Sequence, residues 1–134
     1  HNEHIANSQV KVITPEDATE NILCYKVPIG VYSKLFNREF LVKNNIHFLE
    51  DVYIGEGFNF NTACFQRANK VVMSNERIYF YRRDNEASAM TKFKAAKCQM
   101  ALKAIDIIKE NLVLKSARIE NAWTYQYQDD ANLR

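Results

Sequence analysis

Residues that form turns are scarce in this sequence of 134 residues, which contains three glycines and two prolines. An architecture of many β-strands needs frequent turns, so this scarcity favours helices. The three cysteines, Cys24, Cys64 and Cys98, are too widely spaced for a disulfide framework or a paired-cysteine metal site. No apolar run approaches the roughly 20 residues that a membrane-spanning helix requires. The sequence therefore predicts one helix-rich domain over 1–134 in a reducing, cytoplasmic setting.

An excess of one charge sign is also lacking. With 18 basic and 16 acidic residues the net charge is +2, which is too small to predict nucleic-acid binding by itself. Hydrophobic residues make up 47% of the chain, which excludes intrinsic disorder. The basic residues are unevenly distributed, because seven of them lie in 92–118 beside two acids: Lys92, Lys94, Lys97, Lys103, Lys109, Lys115 and Arg118. Such a basic segment could rest on an anionic membrane surface, and the alternative is a solvated helix face.

The spacing of apolar residues predicts five helices, over about 15–26, 32–44, 58–68, 91–112 and 115–128. Thr14 and Pro15 are a typical helix start, with a capping hydroxyl followed by proline at the first helical position. Runs of β-branched and aromatic residues at 70–73 and 77–82 predict two short strands, and a further brief strand is expected at 10–13. Residues 46–54 show no clear period and are expected to form a loop. The predicted fold class is α+β, mostly helical with a small two-stranded β element.

Four segments of the sequence resemble, in order, parts of the bacterial family-two glycosyltransferases. They are SKLFNREFL at 33–41, IHFLEDVYIGEGFNFN at 46–61, IYFYRR at 78–83 and SAMT at 88–91. In that family the corresponding parts are a Lys-Leu-Phe helix, a Gly-Glu-Asp segment leading to a helix, an aromatic strand that ends in arginine, and a short turn. The four segments together cover about residues 28–92. Their order identifies the chain with the C-terminal, acceptor-side part of such an enzyme.

The resemblance implies a fragment of a GT-A type glycosyltransferase whose nucleotide-binding half is not in these residues. It implies inverting transfer of a sugar from a nucleotide sugar to a glycan or lipid-linked acceptor, in polysaccharide biosynthesis at the inner face of the membrane. Family members hold a divalent ion, Mg²⁺ or Mn²⁺, with an Asp-x-Asp motif. That motif does not occur in this sequence, so the ion is implied for the full-length enzyme. We expect the isolated chain to be inactive, and the apolar surface left by the missing half to favour a homodimer.

Glu56 is the candidate catalytic residue. By the resemblance it is the general base that deprotonates the acceptor hydroxyl, although Gly57 stands where the family usually has Asp. The alternative interpretation is that Glu56 favours a helix start, where an acidic side chain interacts with the helix dipole. The other acidic pair, Glu50 and Asp51, is expected to be a solvated turn.

Tyr79, Tyr81, Arg82 and Arg83 are candidate substrate-binding residues. The two tyrosines would share one face of a strand with the arginines at its end, so the group could stack on a ring or contact a phosphate. The alternative is an edge strand whose charges prevent pairing with another chain.

No metal site is predicted in this chain, because His1 and His4 lie at the terminus, His47 has no partner, and 84–86 is typical of a turn. The glycosyltransferase interpretation involves no nucleic acid. A second class of function stays open: the chain could be a non-enzymatic helical interaction module whose basic face binds a nucleic acid or a membrane surface.

Overall fold

The structure, a computed structural model, describes residues 9–82 and 95–131. Its elements in chain order are the strand β1 (Val10–Ile13), the helices α1 (Pro15–Leu23), α2 (Arg38–Lys43) and α3 (Glu56–Arg67), the strand β2 (Val71–Ser74), and the helices α4 (Ala95–Glu110) and α5 (Ala117–Ala131). About half of the described residues are helical, so the predicted α+β class is confirmed. Within the described ranges, no helix is long and apolar enough to cross a membrane.

The start of α1 follows its local sequence signals. Thr14 Oγ1 accepts a hydrogen bond from Asp17 N at 3.1 Å, and the Asp17 carboxylate accepts one from Thr14 N at 3.4 Å. This reciprocal capping box satisfies two amides at the helix N-terminus, and Pro15 takes the first helical position as predicted. The helix ends at Leu23, earlier than predicted, where Tyr25 turns the backbone into the left-handed region with φ 54°.

The second helix is shorter than predicted, and its expected start near residue 32 is wrong. Ser33 has φ 62°, and the side chain of Leu35 is 95% exposed, so the apolar spacing before residue 38 does not belong to a helix. Asn37 caps α2, because its Oδ1 accepts a hydrogen bond from Phe40 N at 3.0 Å. The capping side chain therefore decides where this helix begins.

The two-stranded element is present, but one of its strands is not the expected one. β1 and β2 pair in antiparallel register, with Val10 opposite Ser74 and Ile13 opposite Val71. The predicted strand at 77–82 is wrong: these residues form no strand, and the side chains of Ile78 and Phe80 are 61% and 97% exposed. The β propensity of a residue reflects how its side chain packs against a neighbouring strand. β1 is that neighbour for β2, whereas residues 77–82 pair with no strand among the described residues.

The helices α1, α3, α4 and α5 enclose the main core. Its buried members are Ile22, Leu23, Phe58, Ile108, Leu112, Ile119 and Ala122. The predicted apolar face of α4 is buried from Ala104 onward, whereas Ala96 is exposed and Phe93 lies outside the described residues. A smaller cluster of Ile46, Phe60 and Cys64 packs the other side of α3 against the region around α2. Packing on both sides fixes the position of α3, and its N-terminus carries the candidate catalytic residue.

Candidate functional site

Glu56 is the first residue of α3 and follows Gly55. Gly55 has φ +85°, a left-handed conformation that favours glycine, and a Cβ at this position would lie 2.6 Å from Ala104 Cβ. The Glu56 side chain is partly buried, and no hydrogen bond or ion pair joins it to another described residue. The predicted helix is present, and it begins at Glu56 itself. Glu50 and Asp51 lie in an exposed turn, as expected.

Gly57 places the start of α3 against the turn at 28–31. A Cβ on Gly57 would lie 3.4 Å from both Gly30 Cα and Val31 N, which is close packing between two backbones. One helical turn further on, Asn61 Nδ2 donates hydrogen bonds to Ile29 O at 2.8 Å and Gly30 O at 3.0 Å. The turn is therefore held along the first two turns of α3.

Three tyrosines form an exposed cluster, which we call the tyrosine platform: Tyr32, Tyr79 and Tyr81. The Tyr32 ring stacks on Tyr79 with centroids 5.1 Å apart and an interplanar angle of 23°, and its centroid lies 5.3 Å from that of Tyr81. The three side chains are 39%, 52% and 52% exposed, so their outer faces are open to a ligand. Although 77–82 is not a strand, Tyr79 and Tyr81 still contact the same partner. Arg82 follows them and is exposed, and Arg83 lies outside the described residues.

The platform and Glu56 lie at the same end of α3. The Tyr32 ring covers Gly30, since a Cβ there would lie 2.8 Å from its Cδ1 and 2.9 Å from its Cζ. Gly30 in turn packs on Gly57, the neighbour of Glu56. Two successive packing contacts thus connect the tyrosines with the candidate base. The structure brings together residues that are separated by more than 20 positions in the sequence.

A separate cleft of about 170 Å³ lies between the loop after α2, the later part of α3, and α4. Many of its polar groups are already bonded within the chain. Asn59 Nδ2 donates to Gly55 O and Ala104 O, and the Gln66 side chain bonds the backbone of Asn111 and Val113. Neither Glu56 nor the tyrosine platform lines this cleft. Its side chains serve mainly to join α3 to α4.

The described residues contain one histidine, His47, and three free cysteines, of which Cys98 is exposed. Within 9–82 and 95–131, no group of three or more His, Cys, Asp or Glu could hold a metal ion. His47 Nε2 lies 2.8 Å from Asn45 Oδ1, a contact between neighbouring residues. Burial raises the pKa of the Cys64 thiol to about 12 and raises that of Cys24 as well, so neither is a thiolate near neutral pH.

Part of the basic segment is engaged in contacts within the chain. Lys109 Nζ lies 3.9 Å from the centroid of the Trp123 ring. The Arg118 guanidinium pairs with Asp17 at 2.6 Å and also contacts Glu20, both on α1. Lys92 and Lys94 lie outside the described residues. These contacts use basic groups that a uniform basic face would present to an external partner.

Three residues of this region were not identified from the sequence: Tyr32, Lys34 and Asn61. The apolar spacing predicts a helix that includes Tyr32, and no local pattern relates this residue to Tyr79 or Tyr81. Lys34 and Asn61 lie in segments 33–41 and 46–61, where the resemblance implies no role for them. The sequence signal that could indicate the position of Tyr32 is its place two residues after Gly30, since a glycine leaves space for a nearby ring.

Neither a protein-family model, nor a curated protein, nor a solved structure matches this chain.

Proposed function

We propose that this chain is the acceptor-binding part of an inverting glycosyltransferase, in which a sugar passes from a nucleotide sugar to a glycan or lipid-linked acceptor. The proposal is supported by the resemblance of segments 33–41, 46–61, 78–83 and 88–91, in order, to the family-two enzymes. The observation that carries it is the position of the tyrosine platform beside the start of α3, whose first residue is Glu56. A GT-A type origin belongs to the same proposal.

In this scheme the tyrosine platform binds the acceptor. The open faces of Tyr79 and Tyr81 pack against the apolar face of a sugar ring, and their hydroxyl groups hydrogen-bond its polar edge. Arg82 lies next to the platform, where it can contact a phosphate or a charged substituent of the acceptor. Stacking on two rings orients the sugar, so that one of its hydroxyls faces the N-terminus of α3.

Glu56 then acts as the general base. Its carboxylate accepts the proton of the acceptor hydroxyl, while the acceptor oxygen forms a bond to the anomeric carbon of the donor and the bond to the nucleoside diphosphate breaks. Attack on the face opposite to the leaving group inverts the configuration at that carbon. Gly57 brings no second carboxylate to this position, so Glu56 carries the role alone.

The nucleotide sugar, and the Mg²⁺ or Mn²⁺ that the resemblance implies, are expected to bind to a nucleotide-binding half outside this chain. We assign acceptor recognition and proton removal to this chain, and donor binding to that other half.

The interaction-module alternative is less well supported. It requires a free basic face, yet Lys109 packs on Trp123, and Arg118 pairs with the acidic residues of α1. Contact with an anionic membrane surface is compatible with the glycosyltransferase proposal, because lipid-linked acceptors are found there.

The test is Glu56→Gln in the full-length protein, with Glu50→Gln as the matched control. Glutamine keeps the shape of the side chain but cannot accept a proton, so we expect transfer to fall by a factor of about 100 to 10,000. Donor affinity should hardly change. Glu50 lies in an exposed turn, so its substitution should leave transfer within about threefold of the wild type.

Transfer is measured as the nucleoside diphosphate released, and folding is followed by circular dichroism. Equal effects of the two substitutions would contradict the proposal. Unfolding by Glu56→Gln would also contradict it, because that result would show a structural role at the helix start.

A further inference from the structure

The turn at 28–30 is held by two side chains that reach its backbone carbonyls. Lys34 Nζ donates hydrogen bonds to Pro28 O and Gly30 O, each at 2.6 Å. Asn61 Nδ2 donates to Ile29 O at 2.8 Å and to Gly30 O at 3.0 Å. Three consecutive carbonyls are thereby bonded to one ammonium and one carboxamide. We call this arrangement the carbonyl clasp.

Three of the four hydrogen bonds of the clasp are partly buried, which strengthens them relative to bonds at an open surface, and the bond from Lys34 Nζ to Pro28 O is exposed. Asn61 is fully buried, and Lys34 is half-buried, which lowers the pKa of its ammonium group through desolvation. The orientation of the Asn61 amide is fixed by its surroundings. Reversing it would place Oδ1 against two carbonyl oxygens, which cannot donate a hydrogen bond.

The clasp acts on the tyrosine platform through Gly30. Gly30 does not need glycine for its backbone conformation, since its φ is outside the left-handed region. The Tyr32 ring lies in the space where a Gly30 Cβ would stand, so the ring rests directly on the Gly30 backbone. The same ring contacts both Tyr79 and Tyr81.

We infer that Lys34 is a positioning residue for acceptor binding: through the Gly30 carbonyl it holds the turn on which the Tyr32 ring rests, and so assembles the tyrosine platform. Its consequence for catalysis rests on the proposed function, whereas its consequence for ring geometry does not. Glu56 follows Gly55 on a helix that is packed on both sides, and it is the neighbouring Gly57 that packs on Gly30. Loss of the clasp should therefore weaken acceptor binding and leave proton removal nearly unchanged.

The first measurement follows the tyrosine rings of this chain by NMR, with each signal assigned by a single Tyr→Phe substitution. In the wild type, the stacked Tyr32 ring should shift the ring protons of Tyr79 and Tyr81 upfield, and Tyr32→Leu gives the unshifted reference. Lys34→Met removes the ammonium but keeps the length of the side chain, so it should reduce the shifts towards that reference. Lys43→Met, at an exposed lysine in the last turn of α2, is the control and should leave them unchanged.

Two further variants make the result decisive. Lys34→Arg keeps the charge and the donors and should restore a part of the shifts. Gly30→Ala leaves both donors of the clasp in place and displaces the ring, so it should also abolish the shifts. Unchanged shifts in Lys34→Met overturn the inference. If Lys34→Met does not fold, unchanged shifts in Gly30→Ala overturn it instead.

The second measurement is steady-state transfer by the full-length protein. Lys34→Met should raise the acceptor KM about 10-fold and change kcat by less than about threefold, as expected for a lost orienting contact. A fall in kcat at constant KM would overturn the positioning role. If the ring shifts behave as expected but Glu56→Gln has no effect on transfer, the proposed function fails and the role of Lys34 in the platform stands.

Discussion

Gln66 offers a quantitative test of how α3 is joined to the rest of the fold. Its side chain is 5% exposed and spans to the connection between α4 and α5. Nε2 donates a hydrogen bond to Asn111 O at 2.9 Å, and Oε1 accepts one from Val113 N at 2.8 Å. The substitution Gln66→Glu keeps the acceptor and removes the donor, with almost no change in size.

At neutral pH the introduced carboxylate would face the Asn111 carbonyl without a proton between them. The lost hydrogen bond is worth about 1 kcal/mol. The Asn111 carbonyl is also left buried and facing a negative charge, which costs more free energy. Together these effects should lower the free energy of unfolding by about 2–3 kcal/mol. For a chain of 134 residues the entropy of unfolding makes 1 kcal/mol equal to roughly 3.6 °C in Tm. The expected decrease in Tm is therefore about 7–11 °C.

The sign of the pH dependence follows from the same contact. Burial and the facing carbonyl favour the protonated acid, so the pKa of the introduced group is raised in the folded state. Its favourable contribution is complete below the unfolded pKa of about 4.3 and is lost as the pH rises through the folded value. When protonated, the acid can donate to Asn111 O and restore both bonds.

The assay is thermal unfolding by circular dichroism at pH 4 and pH 7.5, with the wild type measured under the same conditions. The variant should lie close to the wild type at the lower pH and well below it at the higher pH. Gln66→Leu is the control without a titratable group and should be destabilised equally at both values. A pH-independent difference for Gln66→Glu, or one below about 0.5 kcal/mol at pH 7.5, would refute the assigned hydrogen bonds.

Three further predictions concern other contacts. Gly55→Ala should lower the free energy of unfolding by about 2–4 kcal/mol in a denaturant titration, because Gly55 has a left-handed φ and a Cβ would overlap Ala104. Gly57→Ala is the control, and its free energy of unfolding should stay within about 1 kcal/mol of the wild type because its Cβ would have ordinary contacts. Arg118 lowers the pKa of Asp17 and of Glu20 by hydrogen bonding, so its stabilising effect is complete above their unfolded pKa values of about 4 and is lost at lower pH. The Tm difference between the wild type and Arg118→Met should therefore be present at pH 7 and vanish towards pH 2, and a constant difference would contradict this. The isolated chain should form a symmetric dimer, because Leu35, Val42 and Phe80 are exposed, and a monomer by light scattering at high concentration would count against it.

The features that could be predicted from the sequence are those determined locally. The start of α1 depends on Thr14, Pro15 and Asp17, which are adjacent, and the start of α3 follows a glycine that the sequence displays. The predictions failed where a distant residue decides. Residues 77–82 have strand composition, but β2 pairs with β1 across the chain, and Tyr79 and Tyr81 pack on Tyr32 instead.

The same reasoning explains what could be known about the candidate site. Glu56, Tyr79 and Tyr81 can be proposed from the sequence because they stand in segments that resemble a known family. Tyr32 and Lys34 cannot, because both contact Gly30, and these contacts depend on the space beside a residue that has no side chain. A sequence pattern does not show which ring will occupy the space that a glycine leaves.

The pairing of β1 with β2 also has a kinetic consequence. The four-residue strands close residues 14–70 into a loop of roughly 57 residues that contains α1, α2 and α3. Closing a flexible loop of that length costs about 3–4 kcal/mol of chain entropy. The hydrogen bonds of two four-residue strands do not offset this cost until the helices inside the loop have packed. The strand pair should therefore form late in folding and open early in unfolding. In native-state hydrogen exchange, the amides of Val10–Ile13 should lose their protection well before those of α3 and α5.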